Sequence, residues 1–516
     1  MRSAVVLSLC VLYLVCAALP AQAQPSTNVV NCSSASAGRQ QCAADTSAGV
    51  VLLKATGPGS CLLGKTWGYD DKGIWVMDGC GGEFQVGQAS SPGAPASAAP
   101  AAENASPTSS PDRKPTERIE TWGEFDPGDG FLVGRSAGGE LAISGYGLIR
   151  YINQLPASQT YTDHLGTEHP VDTRQDIWAH RVMVFFKGWV GNPKAIYNII
   201  LWTVNTTDQK NLFVTAGYQF SRKFSLYGGL NGLPGTRSLQ GSHPYWLGSD
   251  RVMADEFFRP FFTNGVWASG EPTPGFWYTA MVGNNLSALG VKASQLDRKL
   301  TESASVWWMP TTKEFGPKGG YGDWEMHEKL ATRFGMSATF SPEQRFTDDN
   351  SGAPGNTTMR LADSLNVFDK GALAPGTTIN TLSYRLLAVD AGMKYRGFFL
   401  QTELYDRSLY NLKADGPLPV SKVHDQGLYV QGAFFPIPKK LELYAATSQI
   451  FGDRDAGFDR SSEYLVGMNY YPVDTHNQRV NLQVIDINHS PVSSTFGYYV
   501  GGQHGTTVSL AYSLFF

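Results

Sequence analysis

Charge is scarce in this chain. Asp, Glu, Lys and Arg make up 17% of its 516 residues, against about 25% in ordinary soluble proteins. The formal net charge is −4, so the basic excess that marks a nucleic-acid binder is missing. Cysteine is absent after Cys80, and no disulfide framework supports the long remainder. Beyond the N-terminus no stretch approaches the roughly 20 apolar residues that a spanning helix needs. The mean hydropathy of −0.21 likewise excludes a helical membrane protein. It does not exclude a membrane barrel, in which every second residue faces water. What is abundant fits such a barrel: 56 glycines and 12% aromatic residues supply turns and interfacial belts.

The N-terminus reads as an export signal. Arg2 precedes an apolar run from Ala4 to Leu19, and Ala21-Gln22-Ala23 supplies the small-residue cleavage site. Cleavage is expected after Ala23, which makes residues 1–23 a signal peptide and removes Cys10 and Cys16. The remaining four cysteines, Cys32, Cys42, Cys61 and Cys80, fall within 24–87. An even number in a short exported segment predicts two disulfides. Of three possible pairings, Cys32–Cys42 with Cys61–Cys80 is preferred. Short strands between Gly-rich turns are expected there, and Trp67, Tyr69 and Trp75 form either a sugar-stacking face or the core of the small domain. Residues 88–118 are rich in Ala, Pro and Ser, a composition that buries no core and reads as a linker.

From about 119 to 516 the pattern is strand after strand. About sixteen strand-like segments run from 139–151, 176–188 and 195–205 through to 478–488 and 506–516, an even number suited to an antiparallel transmembrane barrel. In the last, Val508, Leu510, Tyr512, Leu514 and Phe516 alternate with Thr507, Ser509, Ala511 and Ser513. The first set is expected to face lipid, with Ser509 and Ser513 facing the lumen, and the strand is expected to pair with the first near 139–151. Segment 195–205 breaks the alternation, with apolar residues on both faces, and is expected to pack under a loop or at a subunit contact. Short joins such as Arg396-Gly397 alternate with long ones such as 231–260 and 341–381, the parity of an up-and-down barrel. The join at 310–331 is the exception.

The loop at 231–260 lies where a third external loop would enter a barrel. It holds the candidate constriction residues Arg237, Asp250, Arg251, Asp255, Glu256 and Arg259, because fixed charges in a narrow throat select ions. Both signs are present, so polarity stays open. Catalytic patterns are lacking: His327-Glu328 opens H-E-x-x-H but position 331 is Ala, and His164 and His169 sit in a polar loop and are expected to be solvated. Asp126 to Gly130 lacks EF-hand spacing and reads as a turn. No enzyme activity, cofactor or metal is expected.

Two resemblances add to this. WGYDDKGIWVMDGC, at 67–80, with Glu83-Phe84 resembles a small exported cysteine domain of poorly defined role. Asp250-Arg251, Met253 to Pro260, Gly265-Val266-Trp267, Gly283-Asn284-Asn285, Asp129-Gly130-Phe131, Gly139-Glu140-Leu141 and Phe516 resemble the phosphate-selective porins O and P. That resemblance covers 119–516 and implies a trimeric sixteen-stranded outer-membrane channel; those porins owe anion selectivity to a ladder of pore arginines and clustered lysines, which has no assigned positions in this sequence. Against phosphate, residues 119–516 carry 33 Lys and Arg (41 less 8) and 37 Asp and Glu (45 less 8). The expectation is an all-β chain: a disulfide-rich β domain followed by an outer-membrane barrel passing small, anionic, hydrophilic solutes by diffusion. The N-terminal domain would lie in the periplasm. The alternative is an outer-membrane binding protein or adhesin, with 24–87 contacting glycan or peptidoglycan. Small ions, outer-membrane lipid and two further copies of the chain are the expected partners.

Overall fold

The computed structural model describes residues 29–86 and 130–516, with breaks at 36–37, 47–49, 64, 71, 205–208, 241–244, 287–295, 297–298, 317–319, 347–358, 474 and 494–496. The expected signal peptide, the 88–118 linker and residues 126–129 of the Asp126–Gly130 turn lie outside the described residues. The chain divides into two compact units, Met1–Ala105 and Ser106–Phe516.

The first unit contains β1 (Val29–Ser33), β2 (Gln40–Cys42), β3 (Val50–Ala55), β4 (Trp67–Asp70), β5 (Gly73–Val76) and β6 (Gly81–Val86). They form two three-stranded sheets, β1-β6-β3 and β2-β5-β4. Disulfides join Cys32 to Cys42 and Cys61 to Cys80. Cys32 and Cys80 are buried with Val50, Trp67, Ile74, Val76 and Phe84 in a single small core. So few apolar residues hold a domain of this size only with covalent help.

The second unit opens with a hairpin of β7 (Phe131–Ser136) and β8 (Gly139–Pro156), then a ribbon of β9 (Thr160–Thr162) and β10 (Glu168–Pro170). There follow β11 (Gln175–Val190), β12 (Asn192–Val204), β13 (Gln209–Ser221), β14 (Phe224–Gly232), a short helix α1 (Met253–Phe258), β15 (Phe262–Thr273), β16 (Phe276–Gly283) and β17 (Thr301–Trp308). The last eight strands are β18 (Ala331–Gln344), β19 (Ile379–Tyr395), β20 (Phe398–Ala414), β21 (Val423–Ile437), β22 (Leu441–Phe451), β23 (Arg460–Tyr470), β24 (Gln478–Asn488) and β25 (Gly505–Phe515). β8 and β11 to β25 close into an antiparallel barrel of sixteen strands. Each expected segment falls on one of them.

Closure occurs where β25 pairs with β8, from Gly505 opposite Pro156 to Phe515 opposite Tyr146. Phe516 and Gly145 then exchange backbone hydrogen bonds of 3.1 and 3.2 Å. Beyond that point β7 takes over as the partner of β8, with Phe131 opposite Ile143 and Ser136 opposite Gly139. This seam strand was not expected from the sequence.

The phase of the final strand is as expected. Leu510, Tyr512, Leu514 and Phe516 are exposed on the outer surface, while Thr507, Ser509, Ala511 and Ser513 are buried inside. The same alternation puts Phe398, Leu400 and Leu404 outside and Gln401, Glu403 and Tyr405 inside on β20. Such a surface is stable only against apolar surroundings. Among the described residues no helix is long and apolar enough to cross a membrane. The tight joins lie at one end, as in the Arg396-Gly397 turn, where both residues take positive φ (47° and 85°). That is the type I′ geometry that matches strand twist.

Three long segments fold into the barrel. Residues 233–240 and 245–261, with α1, enter from the long-loop end, and 345–346, 359–378, 489–493 and 497–504 cover them with buried Leu361, Phe368, Leu373, Tyr498 and Tyr499. The described residues of the exceptional join, 309–316 and 320–330, fold inward from the short-turn end and bury Phe315 and Tyr321. On β12, Leu201 is exposed on the outer surface, while Trp202 is buried inside and meets Phe262 of β15 at 6.4 Å.

Candidate functional site

The lumen is where charge collects. β-strand alternation turns Arg150 of β8, Arg181 of β11, Arg333 of β18, Arg407 of β20 and Arg479 of β24 inward, together with Asp390, Glu403, Asp425, Glu442 and Glu463, and all are buried. A buried charge is tolerated only when paired or hydrogen-bonded. The inward loop supplies most of the partners.

All six loop residues singled out from the sequence lie inside the barrel, and each has a specific contact. Asp250 sits between two wall arginines, 3.2 Å from Arg181 and 3.6 Å from Arg150. Arg251 donates from Nε to Ser238 (2.9 Å), faces Asp255 at 3.5 Å and stacks on Trp246 at 4.1 Å. Asp255 also accepts from Ser238 at 3.0 Å. Arg259 grips Glu256 with two bonds of 2.9 and 2.6 Å and lies over Phe261. Arg237 donates its backbone N–H to Glu403 (2.8 Å) and lies over Tyr321, the residue brought in by the 309–330 segment. Tyr321 N–H in turn donates to the Tyr245 carbonyl at 2.7 Å, so the segments from opposite ends meet inside the barrel.

The wall anchors the loop further. Glu463 accepts from Met253 N–H (2.7 Å), Ser448 (2.6 Å) and Tyr499 (2.7 Å). Arg479 donates to the Trp246 carbonyl and, at 3.1 Å, to the Gly248 carbonyl. Arg407 pairs with Asp425 at 2.7 Å and covers Phe257 of α1 at 4.1 Å. Sequence reasoning missed these wall residues. Their only signal is a charged side chain on the polar phase of an amphipathic strand, as with Arg479 before Val480.

Two voids flank the loop. One lies among Trp246, Asp250, Arg251, Asp255, Tyr321 and Tyr429. The other has an aromatic wall of Trp202, Phe213, Phe261 and Phe262 and a charged rim in which Arg181, Arg251 and Arg259 stand beside Asp250 and Glu256. The Nε of Arg181, one Nη of Arg251 and one Nη of Arg259 are buried with no acceptor among the described residues. A buried donor left unsatisfied costs about 1–3 kcal/mol, so three around one void favour a guest that accepts hydrogen bonds.

His164 and His169 sit differently from expectation. His164 is not solvated: its Nδ1 lies 2.6 Å from Asp363, with 3% of the side chain exposed. His169 pairs with Asp163 at 2.8 Å. His327 belongs to no H-E-x-x-H pair. Its Nδ1 meets Asp323 and its Nε2 lies 3.0 Å from Glu314. Burial lowers its pKa, but these two hydrogen bonds outweigh that and raise it to about 9. Asp323, Glu325 and His327 are close enough to share a metal, yet both ring nitrogens of His327 are already engaged by carboxylates.

In the first unit, Trp67 is buried against Phe84 at 5.0 Å. Trp75 lies across Gly68 and under the guanidinium of Arg39, at 4.4 Å. Tyr69 is 43% exposed. Trp67 thus serves the core, and Trp75 is covered on both faces.

Comparison with known proteins adds the following. A family model described as a protein of unknown function (DUF3011) matches residues 15–116. No curated protein matches the chain. Similar solved structures include OmpT, an outer membrane protein of Vibrio cholerae, at 13% identity and a TM-score of 0.45, covering 75% of this chain and 99% of that one. An anion-selective porin from Comamonas acidovorans is 11% identical at a TM-score of 0.43, covering 73% of this chain and 100% of its own. The outer membrane channel DcaP of Acinetobacter baumannii is 11% identical at 0.42, covering 75% and 99%.

Proposed function

We propose that the barrel is a bacterial outer-membrane channel through which small anionic solutes diffuse, with the 233–261 loop as its constriction. The observation that carries this reading is the set of three guanidinium donors of Arg181, Arg251 and Arg259 that have no acceptor among the described residues and line one lumenal void, beside Asp250 and Glu256. Arg237, Asp250, Asp255 and Glu256 complete the constriction. They hold the arginines in place and set the local charge, because fixed charges in a low-dielectric throat act strongly on passing ions. The outward apolar band supplies the lipid contact. A homotrimer is part of the proposal and rests on the resemblance of 119–516 to phosphate-selective porins. Phosphate itself draws no support from the net negative charge of that region. The disulfide-bonded unit is placed in the periplasm, tethered by the 88–118 linker.

Purified protein in planar bilayers tests this. Stepwise, ATP-independent conductance is expected, with a reversal potential on the anion-selective side. Asp250→Asn removes the carboxylate between Arg150 and Arg181 and is expected to increase anion preference. Arg259→Ala is expected to reduce it. Correctly folded protein that forms no channels, or reversal potentials indifferent to both substitutions, would overturn the proposal.

A further inference from the structure

The void between the inward loop and β11 to β13 has two unlike sides. On one, Trp202 lies 5.4 Å from Phe213, Phe213 6.0 Å from Phe262 and Phe261 5.2 Å from Phe262, centre to centre. The other side is charged and belongs to both loop and wall. Arg251 and Arg259 come from the loop and Arg181 from β11, and each is more than nine-tenths buried. Their bonds leave a defined remainder. Arg181 gives Nη2 to Asp250, Arg251 gives Nε to Ser238, and Arg259 gives Nε and Nη2 to Glu256. Left over are Nε of Arg181, Nη2 of Arg251 and Nη1 of Arg259, which have no acceptor among the described residues.

Charge and size narrow the guest. The ion pairs here set four guanidinium groups, of Arg150, Arg181, Arg251 and Arg259, against three carboxylates, of Asp250, Asp255 and Glu256. One positive charge remains over, beside an aromatic wall whose low polarity makes an unbalanced charge costly. A single negative charge offsets it. The cavity measures about 20 Å³, where one water needs about 10–15 Å³. It admits one atom-sized guest. A polyatomic oxyanion is too large, and it would press some of its oxygens against ring carbon with no donor to meet them. A monatomic anion has no such oxygens, and it accepts from every donor that reaches it.

We propose that this void holds one halide ion, chloride in the cell's surroundings, as a fixed part of the constriction. The assignment rests on the reading of the barrel as a channel whose inward loop meets anions. The ion shares the leftover donors of Arg181 on the wall and of Arg251 and Arg259 on the loop, and so fastens the loop to the wall. It also lowers the positive charge that a passing solute meets.

Chloride NMR on the full protein in detergent tests it. The protein should broaden the chloride line, and bromide, but not phosphate or gluconate, should reverse the broadening. Arg181→Lys places a methylene where Nε stands and keeps a cation for Asp250. It should weaken chloride about tenfold, as the loss of one hydrogen bond between charged groups implies. Arg385→Ala, on the outer face of β19, should leave the affinity unchanged. With chloride at about ten times its Kd, hydrogen exchange across 245–261 should slow about tenfold relative to gluconate. Crystals grown in bromide should show an anomalous scatterer in the void. An unaltered chloride affinity in Arg181→Lys, or a void that holds only water in bromide, would overturn the assignment. Anion-selective reversal potentials alongside either result would strike the resident ion and leave the channel reading standing.

Discussion

Replacing His327 by Gln should uncouple the 309–330 segment from pH. In the wild type its imidazole joins Asp323 and Glu314, and its pKa rises from 6.5 to about 9. A shift of that size corresponds to about 3.4 kcal/mol. Half of Glu314 is exposed, so water screens that arm, and about 2 kcal/mol is a fairer figure. A pKa raised in the folded state stabilises fully below the unfolded value of 6.5. The contribution fades as pH climbs through 9. Asp323 and Glu314 are held below their ordinary pKa despite burial, by hydrogen bonds from His327 and from backbone N–H groups. Their share is lost instead as pH falls through the lowered folded value. Local opening of 309–330 is the quantity to follow, by hydrogen exchange corrected for intrinsic rates. Between pH 6 and 9.5 the wild-type segment should lose protection roughly 30-fold, the equivalent of 2 kcal/mol. The His327→Gln segment should start less protected and stay level across that range. Equal pH dependence in both proteins would refute the latch.

Three other outcomes follow from the geometry. Leu510→Arg places a charge on the outer face of β25 and should destabilise the barrel in liposomes by about 2–4 kcal/mol near mid-bilayer. Ser509→Ala on the inner face should cost almost nothing in the same denaturant titration, because the Ser509 hydroxyl is buried without a partner among the described residues. Cys61→Ser opens a disulfide spanning 19 residues. It should cost the first unit about 3 kcal/mol, seen as early proteolysis of that unit while the barrel stays protected.

The strands were legible because membrane barrels impose period two on every one of them. The lengths were less so. β8 runs on to Pro156 and β20 to Ala414, past the stretch where alternation is clean, since rim residues no longer choose between lipid and lumen. The inward loop was legible from its charges and its place in strand order. Its partners were not, because Arg150, Arg181, Glu403 and Glu463 lie far away in sequence and look locally like single polar residues on amphipathic strands. The 309–330 segment resisted strand assignment for a physical reason. Phe315 and Tyr321 pack inside the barrel as irregular backbone, with no repeat for a pattern to expose.

The seam between β8 and β25 bears on how the barrel comes into being. Every other ladder of the barrel joins strands that follow one another along the chain, with only the β9–β10 ribbon between β8 and β11. This one joins residues 146–156 to 505–515, so the entropy of closing almost the whole barrel sequence falls on a single, late step. Until then the growing sheet has two open edges, each able to pair with another copy. β7 blunts one of them early, since its hairpin with β8 is local and is pinned by Arg135 to Glu140 at 2.6 Å. It leaves uncovered only the stretch of β8 that β25 will claim. The hairpin thus works as a template for assembly, restricting both the register and the partner of the final strand.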